Sequence, residues 1–305
     1  AHQPDSPLNV KQGFASTLAA FTSLCGGASV GQYGPIVHFG ATVGVVISKL
    51  QLRKRAGFSR LPREVYLGCG VAAAISAGFN APIAGIIFAH EAILRHFSVR
   101  AIAPITVASI TASSVGNFLF PQTLTFQITS AAPALAEIVP LLVILSPVFA
   151  AVAIAFMWSL RYATATAGSL NVSPMAVPFI GATICGVIGI FVPEALGLGI
   201  GEVNKMISGQ YLIWALAIVL VAKIVMTSAC IGFGVFGGVF SPALFIGVAA
   251  GALSAQLIAQ VGFSSAGSVI SVAAMAAVSS SVIGAPLSAV LIVLELSQSY
   301  EYAVA

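Results

Sequence analysis

The chain has 305 residues, 59% of them hydrophobic and only 7% charged, with a mean hydropathy of +1.06. Soluble domains carry about 25% charged residues, so an ordinary water-soluble globule is excluded. The net charge of +4 does not imply a nucleic-acid partner: eight of the twelve basic residues (Lys49, Arg53, Lys54, Arg55, Arg60, Arg63, Arg95 and Arg100) sit at loop positions beside apolar stretches, the positive-inside pattern of cytoplasmic loops.

The chain opens without Met on a polar stretch, AHQPDSPLNVKQG, that has no signal-peptide pattern, and is read as part of something longer. Residues 26–40, GGASVGQYGPIVHFG, then crowd five glycines and a proline into the entrance of an apolar segment, 34–50. Each glycine weakens a helix interior by roughly 1 kcal/mol relative to alanine, so this backbone is expected to serve something other than a helix. Pro35 suits a first helical turn. That places the helix start at about Gly34 and leaves the preceding N–H groups without intrahelical partners. Gly31 and Gly34 let the backbone approach a ligand closely.

Apolar segments 66–79 and 81–94 follow, and then three runs, 141–160, 174–192 and 211–231, each long enough to cross a hydrocarbon core of about 30 Å. A second glycine-rich break, GGVFSP at 237–242, opens segment 241–261, with Gly237 and Gly238 preceding Val239, Phe240 and Pro242 at a helix start. Segments 267–278 and 285–296 end the series. The fold class is an all-α polytopic membrane protein, integral to the lipid bilayer of a plasma or inner membrane.

The chain repeats itself. NAPIAGIIFAHEAIL (80–94) aligns with GAPLSAVLIVLELSQ (284–298), Ala-Pro on Ala-Pro and Glu91 on Glu295, and a glycine break lies upstream of each. Basic residues flank the first copy, whereas residues 251–305 contain no Lys or Arg. Opposite charge bias predicts opposite insertion, an inverted-topology repeat with discontinuous helices whose substrate sits near the midplane. Residues 1–120 form the first, partial half and 121–305 the second, with no soluble domain.

Two helix N-termini brought together by such symmetry present amide donors and positive dipole ends, which favour an anion. Neither break contains Lys or Arg, and neutral amides can replace hydration without trapping the ion. A small monovalent anion is expected rather than a phosphate.

These residues resemble a known family. GGASVGQYGPIVHFG is similar to the G-K/R-E-G-P motif of CLC chloride channels and proton/chloride antiporters, and GGVFSP to their G-x-F-x-P motif. The two Ala-Pro helices also fall in that family's order. The resemblance implies a homodimer with one pore per subunit, chloride or a similar monovalent anion as the bound substrate ion, no cofactor, and anion ligation at Gln32, Tyr33, Gly34, Val239 and Phe240. Gly31, Pro35, Gly238 and Pro242 are the motif glycines and prolines.

The departures bear on mechanism. The family's G-S-G-I-P motif and its last helices, with their central tyrosine, have no counterpart in the 305 residues. The gating glutamate of most members is Tyr33 here, and the inner proton-transfer glutamate of antiporters aligns with Ala92. A phenol with an unperturbed pKa of ~10 does not exchange protons near neutral pH. The reading is therefore a channel or an uncoupled transporter with Tyr33 as gate. Proton-coupled antiport along a non-standard path is one alternative, and a degenerate, non-conducting membrane subunit another.

Other signals are weaker. GASVG (27–31) imitates a serine-hydrolase elbow without its strand-turn-helix setting, HEAIL lacks the second histidine of a zinc protease, and GLGIG (197–201) reads as a loop between spans, not a dinucleotide site. No enzyme is expected. Cys25, Cys69, Cys185 and Cys230 lie singly in apolar segments and read as buried thiols, with no metal site. His38 either faces the pore mouth or makes a structural hydrogen bond, and Lys223 either snorkels or pairs internally. Glu91 and Glu295 are assigned structural or subunit-contact roles.

Inverted insertion predicts that loop 49–63 is cytoplasmic and segment 116–136 external. Single cysteines placed in each, in a background lacking the four native ones, should react with an impermeant thiol reagent from opposite sides. Reaction of both from one side would defeat the inverted arrangement.

Overall fold

The computed structural model describes residues 10–53, 61–120, 135–260, 262 and 267–297. Residues 54–60 and 121–134 carry most of the loops whose sidedness the charges predict, and they lie outside the described residues, as do Gln298 and Glu301. The helices are α1 (Val10–Cys25), α2 (Tyr33–Arg53), α3 (Arg63–Phe79), α4 (Pro82–Phe88) continued by a π-helical turn (Ala89–Leu94), α5 (Val99–Leu119), α6 (Leu135–Ser169) and α7 (Val177–Phe191). After a 3-10 turn (Pro193–Ala195) come α8 (Ile200–Ile207), α9 (Ile213–Gly232), α10 (Phe240–Ala259), α11 (Gly267–Ile283) and α12 (Pro286–Ser297).

Four of the described helical stretches, Val99–Leu119, Ile138–Ser169, Ile213–Gly232 and Phe240–Ala259, are long and apolar enough to cross a membrane. The run 174–192 yields a helix of only 15 residues, short of the ~20 a perpendicular span needs. It starts three residues into the run, at Val177, and Pro193 stops it one residue short: the residue before a proline is pushed out of helical geometry, and Val192 sits at φ −133°, ψ 69°.

The chain divides into two compact units, Ala1–Phe21 with Pro35–Gln122, and Thr22–Gly34 with Thr123–Ala305. Within the first, α2 and α3 cross through glycines. A Cβ on Gly40 would lie 2.8 Å from the Ala74 Cβ, and one on Gly44 would lie 2.9 Å from the Tyr66 carbonyl carbon. Lipid-facing helices gain little from apolar burial against each other, so close backbone approach through small residues supplies the contact. Serines stitch the elements further: Ser76 Oγ donates to the Ser109 carbonyl at 2.6 Å and Ser109 Oγ to the Pro82 carbonyl at 2.7 Å. The apolar segment 81–94 is not one α-helix, because its second half widens into the π-helical turn that holds Glu91. There the buried His90 ring stacks on Phe97, with centroids 5.3 Å apart.

Within the second unit α10 is the central element, buried on nearly every side, as expected of a helix apolar all round. It packs chiefly on α11, where a Cβ on Gly251 would stand 2.6 Å from the Ser271 Cα and one on Gly247 2.7 Å from the Met275 Cα. α6 and α9 are joined by Ser159 and Ser228, whose hydroxyls lie 2.6 Å apart.

Each unit contains an Ala-Pro corner of similar backbone form. α3 ends on Asn80 at φ 53° and α4 starts at Pro82; α11 ends before Gly284 at φ 74° and α12 starts at Pro286. Asn80 Oδ1 also accepts from Ser113 Oγ at 2.9 Å and Asn117 Nδ2 at 2.7 Å. A left-handed residue with a Cβ costs about 1–2 kcal/mol, which glycine avoids. Asn80→Ala should therefore lower unfolding free energy in detergent by about 1–2 kcal/mol more than Asn80→Gly does. Equal losses would show that the side-chain hydrogen bonds, not the backbone conformation, hold this corner.

Candidate functional site

Both glycine breaks belong to the second unit, and each binds the other. The Gly31 N–H donates to the Gly238 carbonyl at 2.7 Å and the Gly238 N–H donates to the Gly31 carbonyl at 2.7 Å, an isolated antiparallel bridge. Side chains would prevent it. A Cβ on Gly31 would fall 2.8 Å from the Gly238 oxygen and 3.0 Å from Pro242 Cδ, and one on Gly34 would fall 2.9 Å from the Gly238 Cα.

The bridge sets the first residues of α2 beside the first turn of α10. Each helix opens on an aromatic, a small residue and a proline: Tyr33-Gly34-Pro35 and Phe240-Ser241-Pro242. The first helix begins one residue earlier than the proline alone suggested. Tyr33 and Phe240 meet edge to face at 5.6 Å and 67°. Tyr33 is 7% exposed, and its phenol shares a hydrogen bond with the Gln32 side chain. Among the described residues, the N–H groups of Gln32, Gly34, Val239 and Ser241 donate to no backbone acceptor.

A cavity of ≈ 20 Å³ opens here, about what one water-sized sphere requires. Gln32 and Tyr33 line one side, Ser241 and Leu244 another, and Leu198, Ile200 and Val203 close it. The GLGIG segment, which reads in the sequence as a mere connection, is thus a wall of the site.

That wall is tied down by a buried lysine. Lys223 Nζ donates to the carbonyls of Ala195 at 3.0 Å and Gly197 at 2.7 Å, and lies 4.6 Å from the Phe245 ring centroid. The residue is fully buried. It pairs internally and does not snorkel, because it stands mid-helix in α9, too far from either end for its stem to reach water. Ser29 Oγ adds a 3.1 Å bond to the Ala195 carbonyl and lies 3.1 Å from Thr227 Oγ1, and the Gly197 N–H reaches the Gly27 carbonyl at 3.1 Å. The GASVG serine is therefore a structural hydroxyl.

α8 is held from outside. Tyr211 OH donates to Glu202, Lys205 Nζ reaches Glu202 Oε1 at 2.8 Å, and Gln256 Nε2 donates to the Tyr211 carbonyl at 2.6 Å. Partial burial pushes the Glu202 carboxyl up, but its bonds from Lys205 and Tyr211 outweigh that and hold it below the usual carboxylate range.

Other expectations divide. His38 Nδ1 lies 3.2 Å from Ser16 Oγ within the first unit, the structural option. The cysteines are not uniformly buried: Cys25 is exposed and Cys69 intermediate. Nor are all of them isolated from one another, since Cys185 of α7 and Cys230 of α9 lie in one apolar cluster with Met226 and Val30. Nothing in the spacing of two cysteines 45 positions apart signals this. Among the described residues no group of three His, Cys, Asp or Glu side chains is placed to hold a metal.

Several helices long and apolar enough to cross a membrane, with two helix starts joined by a reciprocal backbone bridge, make this an integral, multi-pass membrane protein. The chain belongs to the voltage gated chloride channel (CLC) family, whose family model matches residues 1–305. It is 29% identical over 317 residues to a ClcB-like chloride channel protein of Ralstonia nicotianae, spanning 97% of this chain and 70% of that one. It is 26% identical over 304 residues to the H+/Cl− exchange transporter ClcA of Yersinia pestis, spanning 93% of this chain and 60% of the relative. Its fold matches the crystal structure of a slow cyanobacterial Cl−/H+ antiporter with a TM-score of 0.78 at 21% identity, covering 92% of this chain and 66% of that one. The chain thus spans about two thirds of the length of these proteins.

Lys223→Met removes the only side-chain donor to Gly197 among the described residues, while Ala195 keeps Ser29. A buried carbonyl left without a donor costs about 1–3 kcal/mol. Thermal unfolding in detergent should show a loss of that order, with faster proteolysis within 196–201. Unchanged stability would mean the loop does not depend on this lysine.

Proposed function

We propose that this protein carries chloride, or a similar small monovalent anion, across a membrane without stoichiometric proton movement, as a channel or an uncoupled transporter. The observation that supports the reading is the reciprocal Gly31–Gly238 bridge, which brings the two glycine breaks together beside a small cavity lined by Gln32, Tyr33 and Ser241; in this reading the amides of Gln32, Tyr33, Gly34, Val239 and Phe240 hold the ion. Each hydrogen bond to an ion contributes roughly 1.5–3 kcal/mol, so several neutral donors can offset lost hydration. Membership of the CLC family supports the anion.

The uncoupled mode rests on two positions. Tyr33 stands where the resemblance puts the gating glutamate, and Ala92 where it puts the inner proton carrier. Tyr33 narrows the approach to the amides instead of exchanging protons, since its unperturbed pKa of ~10 is far from neutrality. In this reading the protein is a homodimer with one pathway per subunit, and its two halves, 1–120 and 121–305, insert in opposite directions. The exchange activity named for the Yersinia relative is the second reading, with protons carried by water or by another group such as Glu91.

Simultaneous chloride and proton flux from the purified protein in liposomes separates the two. Chloride efflux should proceed with no matching proton uptake and vary little between about pH 5 and 8. Tyr33→Glu should slow chloride severalfold at neutral pH, because its carboxylate competes for the same amides. The block should ease as pH falls towards the ~4.3 of an unperturbed glutamate. Stoichiometric proton antiport by the unmodified protein would sink the uncoupled mode, and absence of any chloride flux would leave the non-conducting subunit.

A further inference from the structure

Ser241 is the second residue of α10 and only 9% exposed. Its hydroxyl is one of two buried side-chain polar groups without a hydrogen-bond partner among the described residues. Burying an unpaired hydroxyl is unfavourable, and such groups in folded proteins call for a specific explanation. The other orphan, His90 Nε2, lies against Phe97 in the π-helical turn. Ser241, by contrast, lines the cavity shared with Gln32, Tyr33 and Leu244.

What surrounds the hydroxyl determines what it lacks. At a helix start the nearby backbone groups are N–H donors, not acceptors, and of the residues lining this cavity Gln32 and Ser241 have N–H groups that donate to no backbone acceptor among the described residues. Leu198, Ile200, Val203 and Leu244 contribute apolar side chains to the remaining wall. An O–H in such a place needs a partner that accepts several hydrogen bonds and need donate none. Water accepts but must also place two protons, whereas a small anion only accepts.

We infer that Ser241 is a side-chain ligand of the transported anion and favours ions of concentrated charge, such as chloride, over diffuse ones, such as nitrate. This rests on the proposed anion site and assigns it a specificity-determining residue outside the backbone amides. A hydroxyl donates along one direction to one atom, so its contribution grows with the charge density of the acceptor. The amide donors are more numerous and discriminate less. The serine also adds no fixed charge, so the ion it holds can leave.

The test is isothermal titration of the whole purified protein in detergent with chloride and, separately, with nitrate. Ser241→Ala keeps the helix start and the volume apart from one oxygen, and Ser241→Gly deletes the hydroxyl together with its Cβ. Both should raise the chloride Kd about tenfold, equivalent to about 1.4 kcal/mol, and the nitrate Kd by threefold or less. Ser241→Thr, which keeps the hydroxyl, should stay within about twofold of the original for chloride. A chloride Kd unchanged in Ala and Gly variants would overturn the assignment and leave the amide site intact, with the hydroxyl serving a bound water. Equal weakening for both ions would overturn the discriminating role. No chloride binding by the unmodified protein would remove the anion site itself, and this inference with it.

Discussion

Two hydrogen bonds of 2.7 Å between Gly31 and Gly238 are the contact on which the rest of the site depends. They join backbone segments 207 positions apart in the chain, and they satisfy the one N–H and one C=O of each glycine that face the partner. Everything immediately downstream is then oriented outward from the bridge. Tyr33 and Phe240 open their helices side by side, and among the described residues the N–H groups of Gln32, Gly34, Val239 and Ser241 donate to no backbone acceptor. The glycines are a steric requirement of this meeting, not a device for flexibility. Any Cβ at 31, 34 or 238 would come within 3.0 Å of the opposite backbone.

Behind the bridge lies a second layer built from polar groups that a membrane interior tolerates only when satisfied. Among the described residues Lys223 forms no ion pair; it donates to the carbonyls of Ala195 and Gly197, and its charged end lies over the Phe245 ring. Ser29 and Thr227 complete the cluster. The effect is to turn three residues of irregular backbone, 196–198, into a rigid wall. Irregular backbone among apolar helices needs its polar groups satisfied by the protein around it, and here Lys223 and Ser29 supply the donors.

Much of this was legible in the sequence, and the physical reason differs by feature. Glycine breaks and Ala-Pro corners are local signals, because φ, proline chemistry and helix starts are decided within a few residues. Asn80 and Gly284, which the alignment of the two Ala-Pro stretches pairs, end their helices in the same left-handed conformation. What the sequence did not reveal depends on partners distant along the chain. The Cys185–Cys230 cluster, the use of GLGIG as a wall, and the orphaned Ser241 hydroxyl each require knowing which segment lies opposite. The π-helical turn at Ala89–Leu94 is a different failure: an apolar run looks the same whether its hydrogen bonds skip four residues or five.

The placement of charge follows from the same construction. Lys223 is not among the residues lining the cavity; it sits behind the loop wall, donating to the carbonyls of Ala195 and Gly197. In the proposed reading an ion at the helix starts therefore meets dipoles first and the lysine only through the loop between them. A cation in direct contact would hold the ion at each turnover and slow its exit, since charge-assisted bonds are about twice as strong as neutral ones. Amides and one hydroxyl offer many modest contacts that can be exchanged in succession. The doubled glycine break is what makes that possible, because it delivers donors from two helices without requiring a single side-chain charge.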